Sequence, residues 1–237
     1  MDKNTPPFPQ LTDLVEKDEE EATKIISLNG QRFPLALSIP LLKAALGREL
    51  PLPYGHPRDI GVAIYDIDTT LSIGASVHKQ IPQVELLITI GGGALSKTGI
   101  AKIRAGTRTS ELIESLGGLK EDPAKVILGG PMMGMAQYSL DIPIGKETHG
   151  LFALTKDEIQ VTEGYSECIN CGLCVSVCPV NLIPGMLSMY CAKDSFDKAE
   201  AEGLFSCIEC GCCDYVCPAR RPLVHLFRHA KNQLMEA

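Results

Sequence analysis

The sequence predicts an α+β chain with three folded parts: a partial α/β segment, a β-grasp-like module and a helical C-terminal domain. Three observations carry this expectation. Helix and strand signals alternate from Phe33 to about Val84. Between Val84 and about Ile159 short strands flank a single helix. All ten cysteines fall between Cys168 and Cys217, where no strand signal intervenes. The expected boundaries are 1–32, 33–83, 84–163 and 164–237, with the last break near Gly164.

The first part is an arm. Glu16, Asp18, Glu19, Glu20 and Glu21 lie downstream of prolines at 6, 7 and 9, a composition that favours a solvated, poorly ordered segment. Ser38 and Pro40 then open an apolar helix over Leu41 to Leu46, which Gly47 closes. Pro51, Pro53, Gly55 and Pro57 make a loop. The run Gly61 to Ile67 is short, apolar and β-rich, so a buried strand is expected there, with a helix over Thr69 to Lys79.

The β-grasp-like module begins with the strand VELLITI and the turn Gly91-Gly92-Gly93. Thr109 or Ser110 caps the next helix, Glu111 sits in its positive first turn, and Leu112, Ile113 and Leu116 form one face before Gly117-Gly118 ends it. Strands Lys125 to Leu128 and Gly150 to Leu154 flank the loop GGPMMGM. Neither this loop nor GGGALSKTG fits a nucleotide-binding glycine pattern, so both are expected to be turns.

Composition narrows the function. The net charge of −7 offers no general basic face for nucleic acid. Gly91 to Gly93, Lys97 and Lys102 interrupt the most hydrophobic window, so no membrane span is expected. The N-terminus lacks the order of a secretory signal. A cytoplasmic, reducing setting follows as an expectation, and there ten cysteines read as ligands rather than disulfides. No Ser/His/Asp order or carboxylate pair reads as catalytic.

The cysteines repeat one spacing, C-x2-C-x2-C-x3-C-P, over Cys168, Cys171, Cys174, Cys178 and Pro179 and again over Cys207, Cys210, Cys213, Cys217 and Pro218. Three cysteines each three residues apart let a tight loop wrap a 4Fe-4S cubane, and the glycine after the second gives the backbone room to turn. In two-cluster proteins the fourth cysteine ligates the other cluster. The expected sets are Cys168, Cys171, Cys174 and Cys217 against Cys207, Cys210, Cys213 and Cys178. Structural zinc also uses four cysteines but joins two C-x2-C knuckles across a longer gap, so the spacing favours iron. Cys212 and Cys191 are left as small buried hydrophobes.

LIPGMLSMYCAK and SFDKAEAEGLF, between the two motifs, both read as helices, which favours a helical two-cluster domain over a small βαβ ferredoxin. Pro222 starts a last helix with the apolar stripe Leu223, Leu226, Phe227, Ala230 and Leu234. Its basic residues Arg220, Arg221, Arg228 and Lys231 offer either a docking face for an acidic redox partner or a tuner of cluster potential; an ordinary solvated face is the plain alternative. His225 and His229 lack a third ligand and read as surface residues.

LLKAALGRELPLP, RAGTRTSELIESLGG, DPAKVILGGPMMGMA and CIECGCCDYVCPARRPLVHLFRHAK together resemble the C subunit of Rnf-type electron transport complexes, from about Phe33 to Ala237. The resemblance implies the end of a flavin- and NADH-binding domain over 33–83, a β-grasp module called SLBB over 84–163, and a helical ferredoxin-like domain with two 4Fe-4S clusters. Nothing here resembles the family's N-terminal flavin and nicotinamide region, so no flavin or nicotinamide site is expected in this chain. The expected role is a non-catalytic relay of single electrons between a flavin-, NAD(P)H-binding or dehydrogenase subunit and a ferredoxin or other iron-sulfur carrier. Peripheral membrane association through partners fits the resemblance. The alternative is a reductase acting on a corrinoid or another small ligand at the SLBB-like module.

Overall fold

The computed structural model describes residues 24–26, 28, 33–120, 123–159 and 166–236. The acidic run from Glu16 to Glu21 and the expected break at Gly164 lie outside the described residues. The chain divides into two compact units, Met1–Val62 and Ala63–Ala237.

In the first unit, helix α1 spans Ser38–Leu46, and Gly47 ends it in the left-handed region at φ 65°, donating to the Lys43 carbonyl. A short 3-10 helix, Pro57–Ile60, follows the proline-rich loop. His56 caps it: Nδ1 accepts from Arg58 N at 3.3 Å, while Asp59 Oδ2 accepts from His56 N at 2.7 Å.

The second unit begins without the buried strand expected over Gly61 to Ile67. Residues 63–66 form no strand and lead directly into helix α2, Ile67–Lys79. An apolar run becomes a strand only where a neighbour completes its ladder, and here Asp66 starts a helix instead. Its Oδ1 accepts from Thr69 N at 2.6 Å. That bond, chiefly, holds the Asp66 carboxyl below its ordinary range. Asp66→Ala is expected to cost about 1 kcal/mol of stability at neutral pH. Because the folded-state value lies below the unfolded one, the ionic part of this contribution is present above pH ~4 and fades as pH falls through the folded value. Thermal melts of both proteins at pH 7 and pH 3 check this; an equal gap at both would contradict it.

The sheet has five strands in the order β2-β1-β5-β3-β4: β1 Glu85–Gly91, β2 Gly99–Arg104, β3 Lys125–Leu128, β4 Met135–Gln137 and β5 Gly150–Leu154. β1 pairs antiparallel with β2 and parallel with β5, with Thr89 opposite Gly150. β3 sits antiparallel between β5 and β4. Strict alternation along β1 buries Leu86, Ile88 and Ile90, which pack with Val126, Leu151 and Ala153 against Leu112 and Ile113 of helix α3, Thr109–Ser115. One helix on a small mixed sheet is the β-grasp-like arrangement expected.

Two details differ. Arg108 holds the cap position of α3, and Thr109 is its first residue, buried, with Oγ1 donating to the Ile142 carbonyl at 2.9 Å. Strands β2 and β4 carry no clear sequence signal because they are the edges of the sheet and bury little beyond Ile103. Gly92 is required where the chain leaves β1: its φ is 103°, and a Cβ there would overlap the backbone of Ala153.

The remainder of the unit is helical. It contains α4 Leu173–Ser176, α5 Pro184–Cys191, α6 Phe196–Ala201, a 3-10 turn Leu204–Ser206, α7 Cys212–Val216 and α8 Leu223–Glu236. Its core gathers Leu187, Cys191, Leu204, Leu223, Phe227 and Ala230. Asp214 Oδ1 accepts from Val224 N at 3.1 Å and so caps α8 from a distance. Among the described residues no helix is long and apolar enough to cross a membrane.

Candidate functional site

The two cysteine motifs fold alike. Helices α4 and α7, and α5 and α8, start at the same offset of 39 residues that separates Cys168 from Cys207. Left-handed backbone recurs at that offset too: Asn170 and Glu209, Gly172 and Gly211, Asn181 and Arg220. Gly172 and Gly211, at φ 76° and 80°, each turn the loop into a short helix, which is why a glycine follows the second cysteine of each motif.

The pairing of α4 with α7 and of α5 with α8 exchanges the fourth cysteines. Cys168, Cys171, Cys174 and Cys217 line one cavity of about 230 Å³. Cys178, Cys207, Cys210 and Cys213 line a second, tighter one of about 20 Å³. Cys212, expected only as a core filler, is buried but also forms part of this second wall. Cys191 lies in the hydrophobic core at the end of α5. At Gly185 an added Cβ would stand at ordinary contact distance, 3.6 Å from Cys174 Sγ and 3.8 Å from Cys168 Sγ, so the start of α5 lies directly against these two thiols.

Four thiols, Cys174, Cys207, Cys212 and Cys213, are held in surroundings that oppose the free thiolate. Burial pushes Cys207 up to about 11, assisted by Glu209 and Cys178 and opposed by the Glu209 N–H and by Lys231. Cys212 is pushed up to about 12 by burial and by its hydrogen bond with Cys210. Cys213 is raised by burial and then by Asp214, and Cys174 by burial and then by Cys168 and Cys171. Deprotonation here requires a cationic centre, so binding releases protons. Backbone amides await the sulfurs: Leu182 N donates to Cys178 Sγ at 3.3 Å and Glu209 N to Cys207 Sγ at 3.4 Å.

The donor set fits a soft, iron-sulfur type of group, because among the described residues no carboxylate or imidazole lines either cavity. Among the described residues no three Cys, His, Asp or Glu side chains close on a single-ion site. His225 and His229 are exposed, and the His229 ring meets Phe196 edge-on with centroids 6.0 Å apart. The basic face also differs from expectation. Arg228 and Lys231 are turned onto Glu209, and Arg221 is buried in the wall of the first cavity, which leaves Arg220 exposed. The Glu209 pair was not readable, since Glu209 occupies a spacer position of the motif.

Residues 164–221 match the 4Fe-4S dicluster domain family, and residues 87–136 match the SLBB domain family. The C subunit of the proton-translocating ferredoxin:NAD(+) oxidoreductase complex of Clostridium ljungdahlii is 39% identical over 171 residues, covering 72% of this chain and 37% of that protein. The C subunit of the Na(+)-translocating ferredoxin:NAD(+) oxidoreductase complex of Acetobacterium woodii is 39% identical over 204 residues, 86% of this chain and 46% of that protein. The C subunit of the ion-translocating oxidoreductase complex of Methanosarcina acetivorans is 34% identical over 219 residues, 92% and 48% respectively. The chain spans less than half the length of these relatives. With an SLBB domain followed by a 4Fe-4S dicluster domain, it is an iron-sulfur chain related to part of the C subunit of ion-translocating, Rnf-type oxidoreductase complexes.

Proposed function

We propose that the chain relays single electrons through two 4Fe-4S clusters. Cys168, Cys171, Cys174 and Cys217 hold one, and Cys207, Cys210, Cys213 and Cys178 the other, with residues 84–163 as the SLBB-like module and 164–237 as the cluster domain. Segment 33–83 is the end of a flavin-type domain in this reading. The observation that carries it is the exchange of fourth cysteines, which lines two cavities with thiols from both halves of a duplicated fold.

The clusters supply one-electron redox chemistry when bound. The chain's residues supply the cage. Apolar walls from Ile183, Met189, Leu182 and Phe227 lower the local dielectric, and amide donors to Cys178 and Cys207 offset charge on sulfur. Each half lends a ligand to the other cavity, so neither site is complete without both. The relatives named as parts of ferredoxin:NAD(+) oxidoreductases favour a ferredoxin at one end of the relay and a nicotinamide at the other. In this reading the partners are a flavin-, NAD(P)H-binding or dehydrogenase subunit and a ferredoxin or other iron-sulfur carrier, and a cytoplasmic chain reaches the membrane through that complex.

Anaerobic reductive titration of the chain is expected to take up about two electrons, with a paramagnetic signal from each reduced cluster. Uptake of none, or of one, would overturn the relay. The ligand assignment has its own check. Cys212→Ala is expected to leave iron content and both signals unchanged, because Cys213 keeps the motif spacing; loss of about half the iron would make Cys212 the ligand.

A further inference from the structure

The two halves of the helical domain match in backbone but differ in charge at three linked positions. Glu209, Arg228 and Lys231 in the second half stand where the first half has Asn170, Met189 and Ala192 at the same offset. In the second half these residues form one cluster. Arg228 Nε donates to Glu209 Oε2 at 2.7 Å, and Lys231 Nζ donates to Glu209 Oε1 at 2.8 Å and to the Cys207 carbonyl at 2.7 Å. Lys231 is well covered, its side chain 14% exposed.

The cluster also reaches the loop between β3 and β4. Arg228 Nη2 donates to the Met133 carbonyl at 3.2 Å, and Met132 lies against Gly211, where an added Cβ would stand 3.1 Å from the Met132 carbonyl oxygen. The glycine-rich loop between β3 and β4 is thereby fastened to the cysteine loop of the second cavity.

We propose that Glu209, Arg228 and Lys231 form a clasp that positions the second cysteine loop against the sheet module and holds the second cluster's potential above the value that loop would give alone. These are positioning residues, and the inference rests on the two-cluster reading. The physical reason is charge: the clasp carries two cations and one anion beside Cys207, and a net positive field in a partly desolvated site favours the reduced, more negative cluster. Because Arg221 lines the first cavity, the comparison is between the second cluster and its own variants, and not with the first cluster.

The test is a potentiometric titration of the whole chain, followed by paramagnetic resonance and accompanied by iron analysis. Lys231→Met is expected to lower the reduced-to-oxidised ratio of the second cluster at the wild-type midpoint roughly tenfold, about 59 mV for a one-electron couple. The first cluster should not move, Lys231→Arg should restore the value, and Glu209→Gln should shift it the opposite way. A merely structural clasp would move both variants in one direction, or neither, with iron complete, and that result overturns the proposal. If Lys231→Met sheds its second cluster, the sign of the Glu209→Gln shift decides. Wild-type chain without iron would sink the two-cluster reading itself, and the clasp with it.

Discussion

Replacing Cys210 with serine is expected to remove about half of the bound iron, leaving about four atoms per chain and the signal of the first cluster alone. Cys210 is buried in the wall of the second cavity, and its thiol faces a site that Cys178 crosses over to complete. A serine hydroxyl is a poorer ligand for iron than a thiolate, and the pocket around it is too apolar to solvate a vacated coordination position. Cys171→Ser is expected to do the converse, sparing the second cluster. Iron analysis with resonance spectra of each variant checks this. Loss of all iron in both would mean that the two sites are not separable, and retention of all iron would remove Cys210 from the ligand set.

The second large effect falls on Phe227. Its side chain is 1% exposed, lies in the core with Leu187, Leu204 and Leu223, and also lines the second cavity. Truncation to alanine removes a ring from a site hemmed in by α5 and the cysteine loop, where collapse would disturb the cage. The expected cost is about 3–5 kcal/mol, which for a unit of this size is a fall in Tm on the order of 10 °C. Tyr138→Ala, at a side chain 99% exposed, is expected to change stability by no more than about 0.5 kcal/mol. A Phe227→Ala cost under 1 kcal/mol would mean that the helical core does not rest on this ring.

Much of this architecture is legible in the residues. Lys125 to Leu128 and Gly150 to Leu154 are readable as strands because short apolar runs end at glycine or a polar residue and both strands are buried in the sheet's middle. Helix α5 announces itself with Pro184 in its first turn, and α8 follows Pro222. The repeated cysteine spacing marks the two loops and their glycines. What could not be read depends on distant partners. The run Gly61 to Ile67 has strand composition, but Asp66 finds Thr69 nearer than any ladder. Gly99–Arg104 pairs as an edge strand with its apolar Ile100 exposed, so its pattern is weak. Glu209 looks like a spacer until α8 brings Arg228 and Lys231 across to it, and Met133 of the loop between β3 and β4 accepts from the same Arg228.

The grouping of thiols also explains why local signals and global fold agree here. Each motif is a local loop, shaped by one left-handed glycine, yet its fourth cysteine reaches its cavity only when α5 packs on α8. The packing that builds the helical domain therefore also brings the four thiols of each cage together. Raised thiols at Cys207 and Cys213 tie ligand ionisation to binding, since the cage becomes anionic only when the group that compensates it arrives.

The central claim is that both cages hold 4Fe-4S clusters, and the most direct measurement is the iron, inorganic sulfide and zinc content of the chain purified without oxygen. The expected result is about eight iron and about eight sulfide per chain, with zinc at background; zinc in place of iron, or iron without matching sulfide, would contradict it.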